Sequence, residues 1–271
     1  MMILRFTTKA FNKFKQKPKL IEVDKLENDF GEWYVNTADS FNRGNLFMPV
    51  MHADSLYTML VTIEKNIGMS DFVHTVFANL MLRILRLEIP RDSTERIMKS
   101  YDEQAVFSKT KSKSLVGNLS NILQDMETIV EYRKDVTKGN NLNLAFLEYK
   151  VNDSPRTLDG KTIWPLNAFY RCIRNMCPEL PHRIPLPLDI ITSNSPKIVM
   201  EIFKGRVPEK LLLKINGSAL GAEVLFNLQE VQMILKAVND SEKIYSDIHE
   251  KLYSDLKRIL DFKLKNFAAE I

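Results

Sequence analysis

Apolar positions along this chain repeat with two periods, and each change of period marks an element. Met2–Phe6 is a short apolar run that reads as a strand, and Thr7 or Thr8 then caps a helix to about Phe14. Trp33–Ala38, Leu46–Val50 and Tyr57–Ile63 are rich in strand-forming residues, with Asn42-Arg43-Gly44-Asn45 as the turn between the first two. At Ser70 the period lengthens. Phe72, Val73, Val76, Phe77, Leu80, Met81, Ile84 and Leu85 fall on one face of a helix reaching about Leu87, and Pro90 ends it. A short helix follows at Thr94–Tyr101. Leu115, Leu119, Ile122, Met126 and Ile129 then mark a helix over 114–132. Strands followed by striped helices predict an antiparallel sheet from residues 2–6, 33–38, 46–50 and 57–63, with helices 70–87 and 114–132 on one face.

The rest of the chain is more broken. Lys134–Asn141 is polar and reads as a surface loop, Leu142–Val151 leans to helix, and Asn152-Asp153-Ser154-Pro155 is a turn. Pro165 suits the first residue of a helix to about Met176. Pro178, Pro181, Pro185 and Pro187 make 178–187 a stiff connector between domains at 1–177 and 186–271. Beyond it, Leu188–Thr192, Ile198–Phe203, Leu211–Ile215 and Ala222–Leu228 read as short strands. Gln229–Val238 reads as a helix, and Asp240 or Ser241 caps a last amphipathic helix to about Phe267 whose stripe offers a face for oligomerisation. The predicted class is α+β: an N-terminal antiparallel sheet packed with helices, then a smaller α+β domain ending in a long helix.

Composition narrows the setting but not the activity. The 271 residues, 45% apolar and 27% charged, suit one large or two ordinary domains. A net charge of +4 permits nucleic-acid or acidic partners without demanding them. No run approaches the ~20 apolar residues of a membrane span, and Arg83 and Arg86 break the richest, Phe77–Ile89. The N-terminus lacks a secretory core; Met1–Lys19 is basic and amphipathic like a transit peptide but is expected to belong to the fold. Cys172 and Cys177, five apart with no second pair, complete no zinc set and fit a reducing cytoplasm.

Candidate chemistry gathers at one place. Phe107–Leu119 joins an alternating run, with Lys109, Lys111 and Lys113, to a helix that Ser114 would cap and Gly117 would leave open to close approach. Free amides at a helix start, flanked by lysines, suit phosphate or carboxylate. An anion, or an acidic side chain from elsewhere in the protein, is therefore expected at the amides of 115–117, although the same pattern is more often a solvated strand edge. A second basic run carries Arg5, Lys9, Lys13, Lys15, Lys17 and Lys19 with no acid, against an acidic block over 22–32 that can neutralise it. There is no Walker A spacing, because Gly117 is followed by Asn118, and no hydrolase elbow, zincin motif or Rossmann glycine set. Neither cofactor nor metal is implied, and His52, His74, His182 and His249 are scattered.

Four stretches carry a resemblance: Met2-Ile3-Leu4-Arg5, Gly31-Glu32-Trp33-Tyr34-Val35-Asn36, Ser114-Leu115-Val116-Gly117-Asn118-Leu119, and Asn152-Asp153-Ser154-Pro155. With these, roughly residues 1–180 resemble an uncharacterised bacterial domain family of unknown function. The resemblance implies a bacterial, intracellular protein carried on mobile elements, and brings no activity with it. Two function classes stay open. One is a binding or regulatory module for nucleic acid or protein, using the two basic runs. The other is an enzyme for a phosphorylated or nucleotide substrate, using the Lys109–Gly117 loop as a cradle.

Overall fold

A computed structural model describes residues 1–23, 31–38, 45–65, 67–101, 105–132, 137–138, 141–142, 144–186, 196–219 and 224–269. The chain divides into two compact units, Met1–Leu180 and Pro181–Ile271. The class is α+β, as the apolar pattern predicts.

The first unit is built on a five-stranded sheet in the order β4-β3-β2-β1-β5. Its strands are β1 (Met2–Phe6), β2 (Glu32–Val35), β3 (Asn45–His52), β4 (Thr58–Glu64) and β5 (Ala105–Lys109). β2, β3 and β4 pair antiparallel, whereas β1 pairs parallel with both β2 and β5. The sheet expected to be antiparallel is therefore mixed. The reason is legible in β1, all of whose five residues are buried. A strand buried along its whole length, four apolar residues and one paired arginine without alternation, is covered on both faces, the usual state of parallel strands.

That covering corrects a second expectation. Phe6 packs against Phe72 of α2 (Met69–Arg86), their ring centroids 5.8 Å apart. Tyr34, in register with Arg5 and so on the opposite face from Phe6, shares a core with Leu115, Leu119 and Ile122 of α4 (Lys113–Tyr132). The two helices thus lie on opposite faces of the sheet. α1 (Thr8–Phe11) follows β1, and α3 (Arg91–Ser100) follows α2.

Beyond α4 come the short strands β6 (Thr137–Lys138) and β7 (Asn141–Leu142); the remainder of the surface loop expected there lies outside the described residues. The turn expected at 42–45 lies outside them too, apart from Asn45. α5 (Leu144–Asn152) confirms the helix expected there and closes the open edge of β4. The Leu60 amide donates to Glu148 (2.9 Å), and Asn152 exchanges hydrogen bonds with the Thr58 amide and carbonyl (2.8 and 3.0 Å). Arg83 of α2 neutralises Glu148 through two hydrogen bonds of 2.6 and 2.8 Å. Side chains of a helix here take the place of a sixth strand, satisfying edge groups that would otherwise recruit another chain.

β8 (Arg156–Leu158) and β9 (Lys161–Ile163) form a hairpin around Asp159 and Gly160, both at positive φ (50° and 77°). Asp-Gly is the dipeptide such a turn prefers. α6 (Pro165–Met176) begins at its proline as predicted, and its Phe169 stacks on Tyr57 with centroids 4.0 Å apart. Glu88, past the end of α2, sits at φ 56° while its amide donates to Leu85. Only glycine adopts that conformation freely. Glu88→Gly is expected to raise stability by about 0.5–1 kcal/mol, measured as a higher denaturant midpoint; an unchanged or lower midpoint contradicts it.

In the second unit, β10 (Ile184–Pro185) pairs antiparallel with β11 (Leu225–Phe226). The segments expected as strands at Ile198–Phe203 and Leu211–Ile215 are instead helices, α7 (Pro196–Phe203) and α8 (Glu209–Ala219). Leu211 and Ile215 are buried while Leu213 between them is 66% exposed, a helical period that a strand would not give. Of the strand expected at Ala222–Leu228, Leu225–Phe226 is a strand and Leu228 begins a helix, while 222–223 and the strand expected at Leu188–Thr192 lie outside the described residues.

α9 runs from Leu228 to Ala269, and the break expected at Asp240–Ser241 falls further along instead, between Ser241 and Tyr253. It is capped by a reciprocal pair, Asn227 Oδ1 accepting from the Glu230 amide and Glu230 accepting from the Asn227 amide, each 2.9 Å. Yet the Ser241 and Tyr253 hydroxyls meet at 2.6 Å. Along a straight helix those residues would stand about 18 Å apart. The chain therefore doubles back between them, and the Glu242–Lys257 ion pair spans the same reversal. Tyr253, Leu256 and Leu260 return to the core that holds Val231, Ile234 and Val238.

A basic edge at the carboxyl ends of the parallel strands

β1 and β5 end side by side, Phe6 opposite Lys109. From there the chain leaves β1 into α1 and β5 into α4. Such a divergence at the carboxyl ends of parallel strands is where open sheets leave room for ligands. Thr7 organises the β1 side. Its hydroxyl oxygen accepts from the Ala10 amide (3.2 Å) and its proton goes to Asn36 Oδ1 (2.9 Å).

On the β5 side the cap is Ser112, not Ser114. Ser112 Oγ accepts from the Leu115 amide (3.2 Å) and its carbonyl accepts from Val116 (3.1 Å). Two of the three amides expected to hold an anion thus already have acceptors. The first two helical amides, those of Lys113 and Ser114, are the ones without intrahelical partners. Ser114 is exposed in the first turn. A side chain added at Gly117 would meet nothing within 4 Å among the described residues, so this glycine faces open space and no described part of the protein packs closely on it. Lys109, Lys111 and Lys113 are all exposed, but they do not share one extended face, because the helix begins at Lys113.

Arg5, expected on a nucleic-acid surface, is 1% exposed. It is the hub of a network beneath that edge. Its guanidinium pairs with Glu32 and donates to Ser108 Oγ (3.1 Å), the Lys109 carbonyl (3.3 Å) and the Val23 carbonyl (2.9 Å). Tyr34 joins the same group. Burial first, and then the Glu32 carboxylate, push its hydroxyl above the usual range, while the Ser112 amide opposes that shift by donating to it. Glu32 belongs to the acidic block expected to neutralise the basic run; Tyr34, Ser108 and Ser112 were not singled out by sequence reasoning. For Ser112 the signal was present: it lies three residues before Leu115, the spacing of an N-cap.

The network has a consequence for the basic runs. The Ile21 amide donates to the Phe107 carbonyl (2.9 Å), so the segment ending at Val23 lies along the outer edge of β5. The run before it, with Lys15, Lys17 and Lys19 exposed, is thereby tied to the strand that ends in Lys109. Lys17 donates to Asn12 (2.8 Å) and lies over the Phe11 ring. Lys9 is exposed on α1 and Lys13 half-buried beyond it. Of the acidic block expected to neutralise this run, Glu32 pairs with Arg5 of the run, Glu22 is exposed beside Ile21, and Asp24, Glu27 and Asp29 lie outside the described residues.

Metal chemistry finds no support among the described residues, where no three His, Cys, Asp or Glu side chains are grouped as ligands. His52 is buried against Trp33 and hydrogen-bonded to Ser55 (2.8 Å), and His74 is exposed on α2. Cys172 and Cys177 form no disulfide with each other. No helix among these residues is long and apolar enough to cross a membrane.

The first unit is thus an α+β domain with helices on both faces of a mixed sheet and lysines at its carboxyl edge. Residues 3–168 match the model of a domain of unknown function, DUF6933, and the chain belongs to that family. No curated protein and no solved structure matches the chain.

Proposed function

We propose that this is a nucleic-acid-binding protein of the bacterial cytoplasm, and that the lysine edge of its first unit is the phosphate-facing surface. Lys109, Lys111 and Lys113 form its centre, and Lys15, Lys17 and Lys19 extend it. The observation that carries this reading is the hydrogen bond from Ile21 to Phe107, which ties two runs far apart in sequence to one strand. A broad basic surface with the half-buried Phe11 ring under Lys17 suits a polyanion read by its backbone. The open space at Gly117 speaks against the alternative, a phosphate cradle in an enzyme, because a cradle needs walls.

The test is to purify the full chain in low salt and identify what copurifies, by the ratio of absorbance at nucleic-acid and protein wavelengths and by mass spectrometry. Nucleic acid that high salt strips away is the expected result, with less of it on the Lys109→Ala/Lys111→Ala/Lys113→Ala variant. A protein-like ratio for the wild type in low salt contradicts the reading, as does a bound nucleotide-sized metabolite.

A further inference from the structure

The second unit holds a separate device. α7 and α8 are joined by the short turn 204–208. Gly205, at φ 76°, lets the chain leave α7, and the amides of Arg206 and Val207 return to the Phe203 carbonyl (3.0 and 3.3 Å). Arg206 also donates its guanidinium to the carbonyls of Glu201 and Ile202, closing the end of α7. The Leu212 amide donates to the Pro208 carbonyl and starts α8. The inner faces meet in one core: Val199, Ile202 and Phe203 from α7, Leu211 and Ile215 from α8. Lys214 of α8 is fixed to Glu230 by two contacts of 3.0 Å.

What α8 leaves outside has no part in that core. Glu209, Lys210 and Leu213 are exposed, and Asn216 is half-buried on the same side. Leu213, at 66%, is among the most exposed large apolar side chains described. Lys204 and Lys210 flank the turn, both exposed, and make no ion pair among the described residues. Two helices locked by a glycine turn, the second presented outward, are the layout of a helix-turn-helix. The presented side chains also carry base-edge chemistry. Lysine donates to guanine, asparagine pairs with adenine, glutamate accepts from cytosine, and an apolar group meets the thymine methyl.

We propose that α7 and α8 form a helix-turn-helix that places α8 in the major groove of duplex DNA, with Lys204 and Lys210 drawing the phosphates and Leu213 and Asn216 reading bases. This goes beyond the lysine edge of the first unit, which would bind phosphates whatever the sequence. The partner is committed by charge and shape: free lysines beside an outward helix fit a polyanionic groove about 12 Å wide.

The experiment is selection by the full chain from a random duplex DNA pool, beside a single-stranded RNA pool, for the wild type, Leu213→Glu, Asn216→Ala and Lys210→Ala. Leu213 and Lys210 are exposed and Asn216 is half-buried, and circular dichroism checks that each variant folds. The wild type is expected to enrich one duplex motif. Leu213→Glu should lose that enrichment while keeping its salt-dependent affinity for unrelated DNA, whereas Lys210→Ala, which removes a phosphate contact, should weaken binding to the motif and to unrelated DNA alike, with a salt slope shallower by about 1. Should Leu213→Glu fail to fold, Asn216→Ala, at the other base-reading position, decides by the same loss of enrichment. Enrichment of no motif, of the same motif equally by the folded base-reading variants, or of RNA alone overturns the proposal. The lysine-edge reading fails separately, through a salt slope that does not respond to Lys109, Lys111 and Lys113.

Discussion

Arg5→Ala is expected to destabilise the first unit by about 3–5 kcal/mol, the range for removing one partner of a buried ion pair. The side chain is 1% exposed, so little water is available to replace its hydrogen bonds. Its loss leaves the Glu32 carboxylate beside the Tyr34 hydroxyl with no cation, and the Val23 and Lys109 carbonyls without their donor. It also cuts the tie between β1, β5 and the segment at Val23 in one step. Denaturant unfolding followed by circular dichroism measures this. A loss below ~1 kcal/mol, the scale of a surface pair, would show that Arg5 is not the hub. An effect on phosphate binding is expected to follow only from unfolding, since the guanidinium does not reach the surface.

The contrast between Arg5 and its neighbours shows what the sequence made legible. Arg5 and Lys9 look alike as letters in a basic run. Their fates differ because Arg5 lies inside an apolar strand and Lys9 follows it, and a charge inside Met2–Phe6 must be buried with a partner. The striped helices α2, α4 and α6 were legible because their period is long and their ends carry proline or serine. The faces they cover were not, since a stripe says how much of a helix is buried but not against which side of a sheet. α7 and α8 were misread because apolar runs of five or six residues fit a strand or a helix equally. The hairpin at Asp159-Gly160 carries its signal in the sequence, since Asp-Gly is the dipeptide that a two-residue turn favours. At the site, the lysines could be read as letters, but their meeting with the N-terminal run rests on one backbone hydrogen bond between residues 86 positions apart, Ile21 and Phe107. Such a contact is set by tertiary packing and leaves no local pattern.

The second large effect is expected in binding. Each phosphate contact releases condensed counterions, so affinity for duplex DNA falls with a slope of about −0.9 per contact on logarithmic axes. Lys109, Lys111 and Lys113 are exposed, and removing them deletes no buried packing. The triple alanine variant should therefore fold normally and lose roughly three contacts. That corresponds to a slope shallower by about 2–3 and a large drop in affinity at low salt. Lys15→Ala/Lys17→Ala is expected to add to the effect, because Ile21, a few residues after that run, is bonded to the strand that ends in Lys109.

The measurement that bears most directly on the lysine edge is fluorescence anisotropy of a labelled DNA duplex titrated with the full chain over a salt series, wild type beside Lys109→Ala/Lys111→Ala/Lys113→Ala. The predicted result is a steep linear fall of log affinity with log salt for the wild type and a slope flatter by about 2–3 for the variant. An identical slope for the two proteins, or no binding by the wild type even at low salt, would contradict it.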